Sequence, residues 1–107
     1  MNNKLHNTTF AVDEPLVDSF LEFMRRDYLP AMTNAGAERC ILSRMPSAEG
    51  VPPCFAVQHR QAAHVAEALA MVEAGLKAQM TSRWADGVVW FDTCLDVLLE
   101  TDNGQGR

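Results

Sequence analysis

The sequence predicts a single α+β domain whose elements follow the order strand, helix, strand, strand, helix, strand. Three observations support this prediction. Four segments alternate in side-chain character with a period of two, which is typical of half-buried strands. Two longer segments repeat apolar residues every three or four positions, which is typical of helices that pack on a core. A chain of 107 residues has the length of one domain, so these elements are expected to share one core.

The strand predictions rest on this alternation and on the turns between the strands. The predicted strands are residues 4–12, 38–45, 54–60 and 88–99. Residues 46–53 are rich in proline, so they are expected to form the turn of a hairpin between the second and third strands. In the last strand, Val89 and Phe91 are expected to share the core-facing side, whereas Trp90 and Asp92 are expected on the opposite side.

Two helices are predicted from the spacing of their apolar residues. The first is expected to end at Leu29, because the residue before Pro30 is pushed away from helical geometry. One further turn is possible after the proline, with Gly36 as the residue that stops it. The second helix is expected within residues 62–84, where the interior Gly75 predicts a kink or a break.

This order of elements predicts a ferredoxin-like fold. Two right-handed β-α-β crossovers interleave most simply as a four-stranded antiparallel sheet in the order 4-1-3-2, with both helices on one face. Residues 1–100 are expected to form this domain, and residues 101–107 a flexible C-terminal tail. The other face of the sheet would expose apolar side chains, including Trp90. Packing that face against a second copy would bury them, so a homodimer is predicted.

Composition and motif content argue against several kinds of partner and cofactor. The net charge of −5 argues against nucleic acid and against an anionic membrane surface as partners. The sequence holds no apolar segment long enough to cross a bilayer. The three cysteines are odd in number and lack a CxxC spacing, which favours a reducing, cytoplasmic location over a disulfide framework. Phosphate-binding glycine motifs are absent, so phosphate-bearing cofactors are not expected.

Several motifs, taken in order, resemble a family of short bacterial proteins of unknown function. Family members typically read aromatic-Leu-x-aromatic-Met, His-Ile-Pro, Gly, then Tyr-x-Val-Gln-Tyr, and finally Val-x-Phe-Arg-Thr-x-Leu-Glu-Val-Leu. The corresponding segments here are FLEFM at 20–24, YLP at 28–30, Gly36, FAVQH at 55–59 and VWFDTCLDVL at 89–98. The resemblance extends over residues 5–98.

The resemblance implies membership of the dimeric α/β-barrel superfamily, in which two ferredoxin-like sheets close into a barrel. That superfamily includes cofactor-free monooxygenases, lactone isomerases, polyketide cyclases and haem-degrading enzymes, so the fold does not determine the function. Three positions depart from the family pattern. Tyr28 stands where the family has His, Asp92 where it has Arg, and His59 where it has an aromatic residue. A family site that used that His or Arg would be changed or lost here.

The topology predicts that polar residues meet at one end of the sheet. The candidate catalytic residues are His59, Tyr28 and His6, and the candidate substrate-binding residues are Arg39, His64 and Phe55. Imidazole can transfer protons near neutral pH, a tyrosine hydroxyl can donate to a developing oxyanion, and an arginine can hold a carboxylate. The same residues are also typical of ordinary strand ends and core edges. No ligand spacing predicts a metal site.

These residues favour a cofactor-independent isomerase, cyclase or oxygenase that acts on a small organic carbonyl or aromatic compound. That hypothesis predicts an apolar pocket between the sheet and the helices, into which a His and a Tyr converge. Two alternatives stay open: a non-catalytic dimer that binds or senses a small molecule, and a structural dimer without a ligand. No cofactor is expected, although haem with His59 or His64 as axial ligand is a further possibility.

Overall fold

The computed structural model describes residues 4–46 and 48–101, and it contains one four-stranded antiparallel sheet. The strands are β1 (Lys4–Val12), β2 (Glu38–Arg44), β3 (Cys54–Gln61) and β4 (Val88–Asp96). Their order across the sheet is β2-β3-β1-β4, which is the predicted order read from the other edge. The predicted fold class is therefore confirmed. The predicted C-terminal tail lies outside the described residues except for Thr101.

The helices pack on one face of the sheet. They are α1 (Val17–Phe23), a π-helical turn (Met24–Tyr28), α2 (Leu29–Asn34) and α3 (Ala66–Trp84). The core between sheet and helices is built from aromatic and large aliphatic side chains, all nearly inaccessible to solvent: Phe10, Val12, Phe20, Phe23, Met24, Tyr28, Met32, Phe55, Val57, Leu69 and Met80. These side chains fix the helices over the sheet and so position the polar residues that lie among them.

Both helix predictions need correction in their interiors. The first helical region does not end at Leu29 but continues through Pro30 into α2. A π-helical turn precedes the proline, in which the Leu29 amide donates to the carbonyl of Met24 five residues earlier. This wider turn places Pro30 in the first turn of α2, where the missing amide hydrogen is tolerated. The helix α3 also continues through Gly75 without a break.

The direction of side chains on β4 is the reverse of the prediction. Trp90 pairs with Phe10 of β1 and Asp92 pairs with Thr8, so both share the helix-facing side of the sheet. Phe91, expected in the core, is 63% exposed on the opposite face. Alternation shows which residues of a strand share a face, but pairing with a neighbouring strand decides which face that is.

The face without helices, which we call the open face, is strongly apolar at one edge. Val89, Phe91 and Leu95 lie on the edge strand β4, and the other strands add Leu5, Ala11, Ile41 and Ala56 to the same face. The segment after β4 is tied to this face by a salt bridge between Arg60 and Glu100, and it exposes Leu98 and Leu99. Large apolar area exposed in one place marks an interaction surface.

The chain leaves α2 through Gly36, whose positive φ angle can be tested by substitution. Gly36 has φ +113°, and a Cβ added there would lie 3.0 Å from Cγ1 of Val65. We expect Gly36→Ala to lower the free energy of unfolding by about 1–3 kcal/mol, because the alanine would have a strained backbone and its Cβ would crowd the Val65 side chain. Gly75→Ala is the matched control: no atom lies within 4 Å of its Cβ. It should raise stability by about 0.5–1 kcal/mol in urea unfolding. Equal changes in unfolding free energy for the two variants would contradict the prediction that Gly36 alone is constrained by its backbone and by Val65.

Candidate functional site

A group of polar side chains lies between the sheet and α3, and we call it the polar cluster. Its members are His6 and Thr8 of β1, Tyr28 of the π-helical turn, His59 of β3, Glu73 and Lys77 of α3, and Asp92 of β4. Two simple periodicities assemble it. Residues two apart on a strand share a face, and residues four apart on a helix share a face. Pairing of Thr8 with Asp92 across β1 and β4 completes the arrangement.

Glu73 is the centre of the cluster. Its Oε2 accepts hydrogen bonds from the Tyr28 hydroxyl at 2.7 Å and from Lys77 Nζ at 3.0 Å, and it lies 3.2 Å from Thr8 Oγ1. Burial by itself raises the pKa of the Glu73 carboxyl, but the Lys77 ammonium and the Tyr28 hydrogen bond outweigh it and hold that pKa below its usual range. Glu73 is therefore an ionised carboxylate inside the fold.

Asp92 connects the cluster to solvent. Its Oδ1 accepts from the Thr8 hydroxyl at 2.6 Å and from Lys77 Nζ at 2.6 Å, while its side chain remains 43% exposed. Partial burial raises the pKa of Asp92, but the hydrogen bonds from Lys77 and Thr8 outweigh it, so the pKa lies below the usual range. Thr8 has one hydroxyl proton, and the shorter distance assigns it to Asp92 rather than to Glu73.

The two histidines of the cluster lie side by side on adjacent strands. His6 Nε2 is 3.4 Å from Asp92 Oδ1 and 3.6 Å from Glu73 Oε1, and its side chain is 19% exposed. His59 is 1% exposed, and its ring stacks on that of His6 with centroids 5.1 Å apart. His59 Nε2 donates to Gln61 Oε1 at 3.1 Å. The Nδ1 of His59 is buried, and it has no hydrogen-bond partner among residues 4–46 and 48–101.

Three of the six predicted site residues meet in this cluster, namely His6, Tyr28 and His59. The hydroxyl proton of Tyr28 is committed to Glu73, and burial next to that carboxylate raises the pKa of Tyr28 far above its usual value. Tyr28 therefore holds Glu73 in place and is not free to donate to a substrate. His59 is enclosed, and its Nε2 is paired with Gln61.

The other three predicted residues lie elsewhere. Phe55 is a core residue whose ring packs against Phe20 with centroids 5.2 Å apart. Arg39 has φ +55° at an irregularity in β2, and it lines a depression on the open face of the sheet, away from the helices. His64 is exposed in a short 3-10 turn before α3. The structure does not bring these three residues to the cluster.

Sequence reasoning did not find Glu73, Lys77, Thr8 or Asp92 as site residues. A signal for the two helical residues is present in the spacing of α3. Leu69 and Met80 point to the core, and the intervening Glu73 and Lys77 fall on the same stripe. Charged residues at core positions of an amphipathic helix are rare unless they are paired, so this pattern is informative in itself.

Among the described residues, charged side chains and not an apolar pocket occupy the space beside His59 and Tyr28. Glu73 and Lys77 fill the space between the sheet and α3, and the cluster reaches solvent at His6 and Asp92. A depression of about 790 Å³ between α2 and β2 is lined by other, mostly apolar residues. A ligand of the cluster would therefore approach at its His6 and Asp92 edge.

Burial of His59 predicts a pH dependence of stability. Burial lowers the pKa of His59 below 6.5 in the folded protein, with Gln61 opposing this in part. The unfolded chain therefore binds more protons than the folded chain below pH 6.5, and stability falls as the pH falls. We expect the urea midpoint to drop between pH 7 and pH 5, and His59→Phe to flatten this slope, because its ring stacks but does not titrate. An unchanged slope in His59→Phe would assign the dependence to other groups.

Comparisons with known proteins support the fold and leave the site unassigned. No family model and no curated protein matches the chain. Solved structures do match, and two of them are described as dimeric ferredoxin-like proteins from an uncultured marine organism. The first is 13% identical with a TM-score of 0.74, covering 94% of this chain and 100% of the other. The second is 12% identical with a TM-score of 0.67, covering 94% and 99%.

These likenesses, together with the sheet order, show that the chain has the ferredoxin-like fold predicted from its sequence. At this level of identity they concern the fold alone. Within residues 4–46 and 48–101, no helix has the length and apolar character that crossing a membrane requires.

Proposed function

We propose that this protein is a homodimer in which each protomer carries a proton-transfer site for a small organic carbonyl compound, so that it acts as an isomerase or a cyclase. One observation carries the proposal: the solvent-accessible His6 is held against two carboxylates, Asp92 and Glu73, at 3.4 and 3.6 Å. A carboxylate that orients an imidazole and stabilises its protonated form is a recurring feature of acid–base sites.

In the proposed mechanism each part of the cluster has its own role. Asp92 accepts the hydrogen on His6 Nε2, and the Glu73 carboxylate lies beside it at 3.6 Å. This leaves Nδ1 as the atom that takes a proton from the carbon next to the carbonyl group. The electrons of that C–H bond move to the carbonyl oxygen and form an enolate. Return of the proton to a different carbon completes an isomerisation. Lys77 and Tyr28 are positioning residues, because they fix Glu73 and do not reach the substrate. This sequence of steps consumes no cofactor.

The dimer in this proposal is supported by the open face. Apolar side chains are exposed together on β4 and in the segment that follows it. The two structural relatives are both described as dimeric. A two-fold pairing of open faces would bury these side chains in each copy.

A non-catalytic binding dimer is the second candidate, and the hydrogen bonds of the cluster favour it. The hydroxyl hydrogens of Tyr28 and Thr8 and the ammonium of Lys77 are all directed at Glu73 or Asp92. An oxyanion that forms on a substrate would therefore need a donor from outside this set, whereas a bound ligand that does not react would need none.

Proton exchange separates the two candidates. The full-length protein is incubated in D₂O with a panel of keto acids, 1,3-dicarbonyl compounds and lactones, and loss of the proton next to each carbonyl is followed by NMR. We expect catalysed exchange for at least one class, and a loss of about 100-fold or more in His6→Gln. His64→Gln is the matched control, because His64 is exposed and outside the cluster. Binding without exchange would favour the second candidate, and neither binding nor exchange would overturn both.

A further inference from the structure

We propose that His6, Glu73 and Asp92 form a binding site for a divalent transition-metal ion, with Zn²⁺ as the reference ion. Each residue offers one ligand atom, and these atoms lie within 4.8 Å of one another. They come from three elements, β1, α3 and β4, at no regular spacing in the sequence. For that reason the sequence predicted no metal site.

Both separations that involve the His6 nitrogen match tetrahedral coordination, and all three donor atoms lie within 4.8 Å of one another. Zinc binds imidazole nitrogen and carboxylate oxygen at about 2.0–2.2 Å, which places tetrahedral ligands about 3.3–3.6 Å apart. His6 Nε2 lies 3.4 Å from Asp92 Oδ1 and 3.6 Å from Glu73 Oε1. A nitrogen and two carboxylate oxygens also suit a borderline ion such as Zn²⁺ or Co²⁺.

The two oxygens of Glu73 have separate environments. Oε2 receives the hydrogen bonds from Tyr28 and Lys77, whereas Oε1 faces His6. Metal ligands are commonly oriented by hydrogen bonds from a second layer of residues, and here Tyr28 and Lys77 would serve in this way. The carboxylate is thus fixed by one oxygen and available through the other.

The charge of the cluster favours a further cation. Glu73 and Asp92 carry two negative charges, and Lys77 supplies one positive charge at 3.0 and 2.6 Å from them. With a neutral His6 the sum is −1. Three protein ligands leave a fourth position for water or a small anion, which is the arrangement of catalytic rather than structural zinc sites.

A second observation concerns the neighbouring histidine. His59 stacks on His6, and its buried Nδ1 lacks a hydrogen-bond partner in the described part of the chain. A buried polar nitrogen normally has a partner, so His59, which stacks on the proposed ligand His6, has an unused hydrogen-bonding atom next to the site.

This inference goes beyond proton transfer and does not rest on it. A metal ion would take the lone pair of His6 Nε2 and move the ring hydrogen to Nδ1, so it would block the base that the isomerase mechanism uses. Metal binding can be measured without any organic substrate. Bound metal and proton transfer by His6 therefore exclude each other within one protomer, and failure of either test leaves the other idea standing.

Co²⁺ titration of the full-length protein tests the site, with visible absorption as the readout and Zn²⁺ competition as confirmation. We expect one ion per protomer, and affinity at least about 10-fold weaker in His6→Gln and in Asp92→Asn. His64→Gln is the histidine control. Cys94→Ser tests whether the exposed thiol, which is paired with His6 across β1 and β4, contributes to metal binding. Both controls should keep the wild-type affinity.

Three outcomes would overturn the proposal: no saturable binding, unchanged affinity in both cluster variants, or loss of binding in Cys94→Ser. If the cluster variants do not fold, NMR of the wild-type protein decides the matter. Paramagnetic Co²⁺ at substoichiometric amounts should shift or broaden the ring signals of His6 before those of His64. The reverse order would overturn the proposal as well.

Discussion

Replacement of Glu73 by leucine is expected to lower the free energy of unfolding by about 3–5 kcal/mol. The carboxylate is buried and receives hydrogen bonds from Tyr28 and Lys77. Its removal leaves the Lys77 ammonium inside the fold with only Asp92 as a counter-charge, and it leaves the Tyr28 hydroxyl without an acceptor. Breaking a buried hydrogen-bonded pair from one side has an effect of about this size, because Lys77 loses one of its two carboxylate partners and the Tyr28 hydroxyl stays buried without an acceptor. Urea unfolding followed by circular dichroism measures it.

Two further variants make this result specific. Glu67→Leu lies on the exposed side of the same helix and should change stability by less than about 0.5 kcal/mol. The double variant Glu73→Leu with Lys77→Met removes the buried pair together, and it should be more stable than Glu73→Leu alone. A loss below about 1 kcal/mol in Glu73→Leu would show that the cluster is solvated in solution and does not hold the helix to the sheet.

The fold was predictable because it depends on patterns that are local in the sequence. Alternation located every strand to within a few residues, and the hairpin between β2 and β3 follows from its proline-rich turn. Which side of β4 faces the helices was not predictable from β4 alone. Both sets of its side chains mix apolar and polar residues, and only the pairing of Thr8 with Asp92 and of Phe10 with Trp90 decides between them.

The candidate site was predictable only in part. The topology brought His6, Tyr28 and His59 to one end of the sheet, as expected. The acidic and basic partners that define their chemistry were missed, since Glu73 and Lys77 occupy positions where an amphipathic pattern calls for apolar residues. Glu73 and Lys77 neutralise each other's charge across one helical turn. Their remaining partners, Tyr28 and Asp92, come from other elements of the fold and cannot be read from the helix sequence alone.

The polar cluster contains two of the positions at which the sequence departs from the pattern of the family it resembles. Asp92 stands where the resembling family has arginine, and Tyr28 where it has histidine. In this chain Lys77 supplies a positive charge beside Asp92, at 2.6 Å. The acidic residue at position 92 is thus paired with a cation from α3. The acid–base and the metal-binding interpretations of the cluster both depend on the carboxylates of Asp92 and Glu73.

Replacement of Phe91 by glutamate is expected to convert the proposed dimer into a monomer. Phe91 is 63% exposed at the centre of β4 on the open face, between Val89 and Leu95. Pairing of open faces would bury it in both copies, so Phe91→Glu would introduce two unpaired carboxylates into the interface. We expect the dissociation constant to rise at least about 100-fold, since buried aromatic residues dominate such interfaces. Sedimentation velocity over a concentration series measures the change.

Met71→Glu is the matched control, because Met71 is 72% exposed on α3, on the opposite side of the protomer from the open face. It adds the same charge to an exposed apolar site and should leave the association state unchanged. If both variants sediment as dimers, the interface lies elsewhere and the apolar edge of the open face has another partner. If Phe91→Glu alone is a monomer and keeps its His59-dependent pH profile, the polar cluster is complete within one protomer, and the dimer serves to cover the sheet rather than to build the site.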